Sequence, residues 1–420
     1  MAPTGWRPGA TGPLTTKGAV CRQAGVSARF PAILQQPASP DLVQDISNRG
    51  PERVALVSDW CLPRMGGIET HILALAKKLQ QRGVEATIVT SFPGPPEIDG
   101  VPIDRLDCFR LPLVHLAASP QLVGRLRDSF VAGRYDTIHI HSSIVAPLCF
   151  AAVPAARSLG LPMVVTFHSV MRTMPFFLAL ADRAIGWLGD DLTLSAVSRL
   201  VAGQIQGAMP GTHVRILPNG FDHELWRAEP NHQKTPDRQI RLVSALRLQP
   251  RKRPFALVDA FAESAHRAAR DGVDLTLTIA GDGPLRPRLE RHIARKKIGG
   301  RIRITGWQTR EQLAQLYRES SLFVMPSIKE AFCIAALEAR AAGLPVLAMR
   351  GTGIADFIQD GVSGVLVDDD AGMAREMAAL AIDPKRLQRL AAQSGDLARY
   401  DWQALAADHI TLYRECLAAR

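Results

Sequence analysis

The chain has 420 residues, of which 47% are hydrophobic and 21% charged, with a formal net charge of +10. These values exclude a chain that is disordered throughout, and the length favours two domains over one. Six scattered cysteines without a C-x-x-C pair suggest neither a zinc site nor a disulfide framework, and they fit a cytoplasmic protein. Four of the positive charges precede residue 30, and the modest remainder favours a phosphorylated substrate over nucleic acid.

The first 50 residues differ in composition from the rest of the chain. They are rich in Pro, Gly, Thr and Ala, show no hydrophobic period and contain no acidic residue before Asp41. We therefore predict that residues 1–50 form a disordered extension, which a transit peptide and a misassigned start codon explain equally well. The longest apolar stretch after it, residues 144–156, is interrupted by two prolines and is too short to span a membrane.

From residue 53 onward, short β-branched runs alternate with helical stretches, a pattern typical of parallel βαβ units. The strands predicted in the first half are residues 54–58, 85–90, 137–140, 163–167, 192–197 and 214–217. Those predicted in the second half are residues 241–245, 275–280, 302–305, 322–325, 346–348 and 364–367. The sequence therefore predicts an α/β protein with two doubly wound, Rossmann-like domains.

The two predicted domains meet at a segment rich in proline, glycine and polar residues. We place the N-terminal domain at residues 51–218, the linker at 219–239 and the C-terminal domain at 240–420, with a last helix that is free to cross back to the N-terminal domain. Because the C-termini of parallel strands and the N-termini of helices converge on one edge of a sheet, anionic ligands are expected there. The ligands should therefore lie in the cleft between the domains.

Two glutamates, Glu330 and Glu338, lie eight positions apart in a segment that follows a predicted strand. If the chain is helical from about residue 332, Glu330 lies on the loop before the helix and Glu338 roughly two turns into it, both facing the cleft. Ionised carboxylates accept short hydrogen bonds from vicinal hydroxyls, so one is suited to a ribose and the other to a hexose. Two solvated surface glutamates are the alternative.

In this context, residues 54–370 resemble the retaining glycosyltransferases of family 4, which have the GT-B fold. Glu330 and Glu338 match the first and last positions of the E-x7-E motif of that family, and Gly343 ends the helix that follows. The resemblance implies a catalytic role for Glu330. For donor binding it implies a larger set from the same segment, namely Glu330, Phe332, Cys333, Ile334 and Glu338.

Two cations, Arg247 and Lys252, follow the first predicted strand of the C-terminal domain and resemble the R-x4-K diphosphate clamp of the family. Each would donate a charge-assisted hydrogen bond to the pyrophosphate and stabilise the leaving group, which is the task of a metal in other enzymes. Two solvated surface cations are the alternative. The sequence departs from the family pattern here, because Leu246 and Arg253 stand where glycines are usual.

Residues 63–71, Pro-Arg-Met-Gly-Gly-Ile-Glu-Thr-His, follow the first predicted strand and open a helix. They resemble the P-x-x-G-G-[IVA]-E motif of the family. Lacking Cβ atoms, Gly66 and Gly67 can take positive φ and expose N–H groups to a phosphate or to the transferred sugar. We assign both glycines to donor binding and place Glu69 and His71 in the acceptor site.

Three histidines follow or lie on predicted strands. His168 comes directly after residues 163–167 and matches the family histidine that contacts the donor sugar in the catalytic cleft, although Ser169 stands where many relatives have Asp. His139 and His141 alternate on one strand, and two histidines without a third do not make a metal site, so we predict no metal. His141 is assigned to the acceptor site. The acidic triplet at residues 368–370 is expected to be solvated.

The acceptor is inferred from one departure in the E-x7-E segment, where Cys333 replaces the usual glycine. This variant resembles the eukaryotic subunit that transfers N-acetylglucosamine to phosphatidylinositol, and bacterial relatives place the same sugar on cyclitols. The expected function is therefore retaining transfer from UDP-N-acetylglucosamine to a soluble cyclitol such as 2-deoxystreptamine, in bacterial aminoglycoside antibiotic biosynthesis. The alternatives are hexose transfer to an inositol phosphate, phosphatidylinositol or a cell-envelope glycan, and a catalytically inactive sugar-nucleotide-binding protein.

The resemblance implies front-face attack assisted by the leaving phosphate, without a cofactor or a metal. The expected partners are a UDP-sugar donor and a small-molecule acceptor, with no nucleic acid. The apolar residues 171–180 leave peripheral contact with a bilayer open, although a helix packed in the core is the simpler interpretation. The oligomeric state is not predicted.

Overall fold

The computed structural model of the protein describes residues 51–110, 117, 119–143, 145–170, 182, 189, 191–227, 239–392 and 397–419. The predicted extension at 1–50, the apolar residues 171–180 and most of the predicted linker lie outside the described residues. Among the described helices, none is both long enough and apolar enough to cross a bilayer.

An eight-stranded sheet forms the centre of the N-terminal domain, in the order β3-β4-β2-β1-β5-β6-β7-β8. Every neighbouring pair is parallel except the short hairpin of β3 and β4. Because helices cover both faces, the central strands β5 and β6 are buried along their whole length. The strands are β1 (Arg53–Val57), β2 (Glu85–Thr90), β3 (Glu97–Ile98), β4 (Val101–Arg105), β5 (Thr137–Ser142), β6 (Met163–Phe167), β7 (Leu192–Ala196) and β8 (Val214–Ile216).

The helices of this domain begin at the carboxyl edge of the sheet, close to the strand ends. Pro147 opens the third described helix, and the buried carboxylate of Asp59 accepts from the backbone N–H groups of Leu148 (3.0 Å) and Cys149 (3.2 Å). Asp59 therefore supplies partners for two N–H groups that a helix start leaves unpaired. The helices are α1 (Gly67–Gln80), α2 (Leu122–Gly133), α3 (Pro147–Ser158), α4 (Arg199–Ala208) and α5 (His223–Trp226).

The C-terminal domain contains a second parallel sheet of six strands, in the order β11-β10-β9-β12-β13-β14. Its strands are β9 (Gln239–Ala245), β10 (Asp274–Ala280), β11 (Ile302–Gly306), β12 (Leu322–Met325), β13 (Val346–Met349) and β14 (Gly364–Val367). Its helices are α6 (Pro254–Arg270), α7 (Arg286–Arg295), α8 (Arg310–Arg318), α9 (Ile334–Ala341), α10 (Asp370–Ile382) and α11 (Pro384–Ala392). The strand order reverses between β9 and β12, the kind of position where open parallel sheets bind ligands.

The predicted architecture of two doubly wound, Rossmann-like sheets is confirmed. Each of the twelve predicted strands is present, and no end differs by more than two residues. The hairpin of β3 and β4 was not predicted, because the segment contains Pro102 and acidic residues. Only Val101 and Ile103 of β4 point into the core, which leaves too few apolar residues for a recognisable period.

The last helix, α12 (Trp402–Ala418), packs on the N-terminal domain. Its start is joined to the chain that leaves the first sheet, since the Phe221 N–H donates to Tyr400 O (3.0 Å) and the Trp402 N–H donates to Phe221 O (3.2 Å). A Cβ atom at Gly220 would lie 2.6 Å from the Trp402 ring, so this crossing requires a glycine. Further along, the Tyr413 hydroxyl lies 2.7 Å from Nδ1 of His139.

We predict that Tyr413→Phe destabilises the protein, because it leaves Nδ1 of the fully buried His139 without this partner. An unpaired buried polar atom costs about 1–3 kcal/mol of unfolding free energy, which urea denaturation followed by tryptophan fluorescence would measure. The control is Arg82→Ala, which removes an exposed hydrogen bond to Gln403 at the start of α12 and should change stability by less than about 0.5 kcal/mol. Equal effects of the two variants would contradict the prediction.

Candidate active site

The loop before α1 and the turn after β9 meet across the cleft. The Arg247 guanidinium of the C-terminal domain donates to the backbone carbonyl of Met65 in the N-terminal domain. A Cβ atom at Gly67 would lie 3.7 Å from the Ile334 side chain, so the glycine loop also faces the first residue of α9. The predicted glycine motif, the first residue of the predicted clamp and the E-x7-E segment therefore lie in one place.

Lys252 and Glu330 form an ion pair beneath this contact. The Lys252 Nζ lies 2.6 Å from Oε1 of Glu330, and both side chains are largely buried. The Glu330 carbonyl accepts from the Gly353 N–H (2.8 Å), which ties the loop after β12 to the turn after β13. The pair thus brings one predicted clamp cation and one predicted glutamate into direct contact at the carboxyl edge of the sheet.

Arg64 and Arg247 make the adjoining part of the cleft cationic. Burial lowers the pKa of Arg247, and repulsion from Arg64 and Arg251 lowers it further, against an opposing effect of Glu69. Arg64 pairs with Glu69 and stacks its guanidinium 4.1 Å from the centre of the Trp60 ring. Two half-buried guanidinium groups that repel each other are stabilised by a bound anion, so this position is suited to a phosphate group. Arg64 was not predicted, because it occupies a variable position of the glycine motif.

Gly66 is required for a reason other than the expected one. Neither Gly66 nor Gly67 has positive φ, so the expectation of a left-handed loop is wrong. A Cβ atom at Gly66 would instead lie 2.3 Å from Oε2 of Glu69, whose carboxylate packs against the loop. Glu69 is only 3% exposed and is paired with Arg64. The glycine thus gives this buried carboxylate room beside Arg64.

Glu338 is placed differently from Glu330. It is the fifth residue of α9, about one turn into the helix and not two, because the helix begins only at Ile334. The residue is half-buried. Loss of solvent around its carboxyl raises the pKa of Glu338 to about 8, and the positive charge of Arg310 opposes this effect. Arg310 comes from α8, so its proximity to Glu338 depends on the packing of two helices and had no signal in the sequence.

At two positions where the family usually has glycine, this chain has another residue whose backbone is left-handed. Cys333, which caps α9 and is buried, has φ 75°, and Arg253 has φ 55°. A side chain in this conformation costs roughly 1–2 kcal/mol, which explains why glycine is usual at both positions. The Arg253 guanidinium offsets part of that cost by donating to Pro326 O (3.0 Å) and to Asp370 Oδ2 (2.6 Å).

The acidic triplet after β14 is solvated as expected, since Asp368 and Asp369 are exposed and Asp370 is half-exposed, but its members also have structural partners. Asp368 is exposed and pairs with Arg350 (3.0 Å). Asp369 caps α10 by accepting from the Gly372 N–H, and Asp370 pairs with Arg253. The triplet has structural partners and holds the loop behind Lys252.

Histidines form a buried layer on the N-terminal side of the cleft. His141 at the end of β5 and His168 after β6 approach each other, with 2.9 Å between His141 Nδ1 and His168 Nε2. The ring of His71, on α1, lies 5.1 Å from that of His168 and 5.9 Å from that of His141, measured between centroids. The expectation that no third histidine accompanies the pair on β5 is therefore wrong.

Burial keeps these histidines neutral. It lowers the pKa of His168 to about 3 and is the largest cause of the lowered pKa values of His71, His139, His141 and His409. Neutral imidazoles donate and accept hydrogen bonds without carrying charge, which suits contact with sugar hydroxyls. His168 is the most exposed of His71, His141 and His168, at 9%, whereas His71, His141 and Glu69 are each 3% exposed or less.

Two family models match most of the chain. The model for Glycosyltransferase Family 4 matches residues 65–225, and the model for Glycosyl transferases group 1 matches residues 227–395. The chain is 30% identical over 391 residues to the D-inositol 3-phosphate glycosyltransferase of Thermobispora bispora, covering 84% of this chain and 90% of that protein. It is 29% identical to the enzyme of the same name from Nocardiopsis dassonvillei, covering 88% and 96%.

Solved structures with the same fold include HepE of Anabaena in complex with UDP and glucose, with a TM-score of 0.70 and 19% identity. That alignment covers 87% of this chain and 100% of the HepE chain. The sucrose-phosphate synthase of Thermosynechococcus elongatus gives a TM-score of 0.69 with 20% identity, over 88% of this chain and 100% of the other.

We predict that Cys333→Gly is more stable than Cys333→Ala by about 1 kcal/mol, because only glycine relieves the left-handed backbone. Both variants lose the buried thiol, so the comparison isolates the backbone, and thermal unfolding measures it. The control is Ala335→Gly inside α9, where the order should be reversed and glycine should cost about 0.5–1 kcal/mol. Lower stability of Cys333→Gly than of Cys333→Ala would contradict the assignment.

We also predict that the protein loses stability as the pH falls from 7 to 5. A histidine that is neutral in the folded protein becomes protonated on unfolding below pH 6.5, and this protonation favours the unfolded state. For His168 alone, it lowers the free energy of unfolding by about 2 kcal/mol at pH 5. Asp59 works in the opposite direction, because burial raises its pKa to about 6, but one carboxyl does not offset five histidines.

Urea midpoints across this pH range would measure the effect. The slope of unfolding free energy against pH gives the number of protons taken up on unfolding. His409→Gln should reduce that number by up to one, whereas His266→Gln on the surface should leave it unchanged. A pH-independent stability between 7 and 5 would show that the histidines are not held neutral.

Proposed function

This chain belongs to family 4 of the glycosyltransferases and has their GT-B fold, and from this premise we propose that it transfers a sugar, with retention of anomeric configuration, from a UDP-sugar to an inositol phosphate. The observation that carries the proposal is the contact of Arg247 with the glycine loop across the cleft, together with the ion pair of Lys252 and Glu330 on the same edge of the C-terminal sheet. The relatives support the inositol phosphate alternative over 2-deoxystreptamine, because those described above act, by name, on D-inositol 3-phosphate.

On the donor side, we propose that Arg247 and Lys252 bind the diphosphate. The ion pair with Glu330 fixes the Lys252 ammonium at the carboxyl edge of the sheet. Binding of the diphosphate would therefore not have to order a long, flexible side chain, which saves conformational entropy. Arg247 is repelled by Arg64, and a diphosphate would relieve that repulsion. Glu330 and Glu338 are proposed to accept hydrogen bonds from the hydroxyl groups of the donor, together with contacts from Phe332, Cys333 and Ile334.

On the acceptor side, a phosphorylated cyclitol needs cations and hydroxyl-binding groups. Arg64 lies beside the glycine loop, and Arg110 follows β4 and reaches the carboxyl end of β2, where it donates to Ser91 O (3.0 Å). We propose that these two arginines attract the acceptor phosphate. The acceptor roles of Glu69, His71 and His141 stay predictions, and their burial favours positioning of Arg64 and His168 over direct contact.

The reaction proposed for this arrangement balances without a further reactant. The acceptor oxygen forms a bond to the anomeric carbon on the face from which UDP departs, while the bond between that carbon and the β-phosphate oxygen breaks. The hydroxyl proton passes to the leaving phosphate oxygen. We propose that Arg247 and Lys252 stabilise the negative charge that builds up on the diphosphate and that His168, which burial keeps neutral, hydrogen-bonds the sugar.

The full chain should convert UDP-N-acetylglucosamine and D-inositol 3-phosphate to UDP and a product with the combined mass of inositol phosphate and N-acetylhexosamine. Unphosphorylated myo-inositol is the matched control and should react far more slowly, because it lacks the group that Arg64 and Arg110 attract. Product from 2-deoxystreptamine but not from inositol phosphate would restore the antibiotic interpretation. UDP release without any acceptor dependence, or no binding of a sugar nucleotide, would reject both.

In the same assay, Arg247→Ala and Lys252→Ala should each lower kcat by on the order of 10²-fold, because the charge that each removes acts mainly in the transition state. Arg251→Ala is the matched control, since this exposed cation lies in the same turn and should stay within about twofold. A raised KM with unchanged kcat would mean that the two cations bind donor and transition state equally.

A further inference from the structure

The buried histidine layer contains two kinds of histidine. His139 has partners on both ring nitrogens, since Nδ1 lies 2.7 Å from the Tyr413 hydroxyl and Nε2 lies 2.7 Å from Oγ1 of Thr166. In His409, Nδ1 lies 2.7 Å from the carbonyl of Leu405. His139 joins α12 to the sheet through Tyr413, whereas the hydrogen bond of His409 lies within α12, and both histidines belong to the structural framework.

His71 and His141 are not satisfied in this way, whereas His168 interacts with both His141 and the Asn219 side chain and has no buried nitrogen without a partner among the described residues. Among the described residues, Nδ1 of His71 and Nε2 of His141 are buried without a hydrogen-bond partner, while Nδ1 of His141 lies 2.9 Å from Nε2 of His168. Leaving such atoms unpaired costs about 1–3 kcal/mol each, and folded proteins tolerate this mainly at sites with another purpose. His71 and His141 therefore need an explanation beyond packing.

The geometry of the three rings is close to that of a metal site. One nitrogen from each of His71, His141 and His168 lies within 4.8 Å of the other two. A tetrahedral Zn²⁺ with bonds of about 2.0–2.1 Å requires nitrogens about 3.4 Å apart, so small rotations of the rings would bring them into position. The rings come from α1, β5 and the end of β6, which hold them from three directions.

We propose that His71, His141 and His168 bind one divalent transition-metal ion, with Zn²⁺ as the expected species. Three neutral imidazoles supply three lone pairs, and imidazole suits Zn²⁺, Cu²⁺, Ni²⁺ and Co²⁺. The ion would replace the hydrogen bond between Nδ1 of His141 and Nε2 of His168, so the unpaired nitrogen that points to this site is Nδ1 of His71 and not Nε2 of His141. No carboxylate takes part in this cluster, so the hard cations Mg²⁺ and Ca²⁺, which prefer oxygen ligands, are not expected to bind.

His168 is the ligand through which this site adjoins the cleft, because it is the only one of the three with more than a trace of exposure. A fourth coordination position would open on that side, towards water or a sugar hydroxyl. The inference goes beyond the proposed transfer reaction, for which the charges of Arg247 and Lys252 supply the stabilisation of the diphosphate.

The test titrates the untagged full chain, first stripped with a chelator, with Co²⁺ and then with Zn²⁺ in the absence of any nucleotide. We expect one Co²⁺ per chain with the intense visible bands of a tetrahedral nitrogen site, displaced by an equivalent of Zn²⁺, and no response to Mg²⁺. His71→Gln and His141→Gln should each abolish the bands and lower the Zn²⁺ affinity at least tenfold, in line with loss of one of three ligands.

Two controls separate loss of a ligand from loss of structure. His409→Gln changes a histidine that is buried in the same layer but whose Nδ1 already has a partner, and His266→Gln changes an exposed one. Both should keep the bands. Circular dichroism and UDP binding by each variant establish that it is folded, and if His141→Gln does not fold, His71→Gln carries the test alone.

Absence of stoichiometric Co²⁺ and Zn²⁺ binding by the folded chain would overturn the proposal, as would binding that survives His71→Gln or that is lost equally in His266→Gln. Because the readout is metal binding and not transfer, a failure here leaves the proposed reaction standing. A failure of the transfer assay likewise leaves the metal site open to this test.

Discussion

The ion pair between Lys252 and Glu330 is the interaction on which the C-terminal side of the cleft depends. Lys252 comes from the turn after β9 and Glu330 from the loop after β12, and these strands are neighbours in the sheet. The pair joins the two loops, and the hydrogen bond from Gly353 to Glu330 attaches a third. Breaking either half would leave a buried charge unpaired, so the loops around the clamp are held as one unit.

The opposite side of the cleft is held together by neutral groups. The histidine layer connects α1, β5, β6 and α12, and it includes a buried chain of hydrogen bonds from Tyr413 through His139 to Thr166 and on to Ser195. Such a network is stable only while its members stay uncharged and paired. The last helix of the chain therefore contributes to the N-terminal side of the site, although it follows the C-terminal domain in sequence.

The sequence was sufficient for the two sheets, because buried parallel strands are continuous apolar runs and need no partner to be recognised. It was also sufficient for the positions of Arg247, Lys252 and Glu330, since each follows a strand. It could not predict that His71 meets His141, because that contact depends on how α1 lies across β5. Nor did it predict that Gly66 makes room for Glu69, since the same glycine also fits a left-handed turn.

The two walls of the cleft thus differ in charge, and this difference favours a different kind of ligand group on each wall. One wall carries the cations Arg64, Arg247 and Lys252, each beside a carboxylate or a carbonyl, so this wall attracts anions. The histidine wall is neutral, because burial removes the proton that would let it compete for the same anions. In the proposed reaction, a diphosphate would therefore be drawn to the cationic wall, and the sugar it carries would face neutral nitrogens, which can hydrogen-bond hydroxyls without retaining the leaving group.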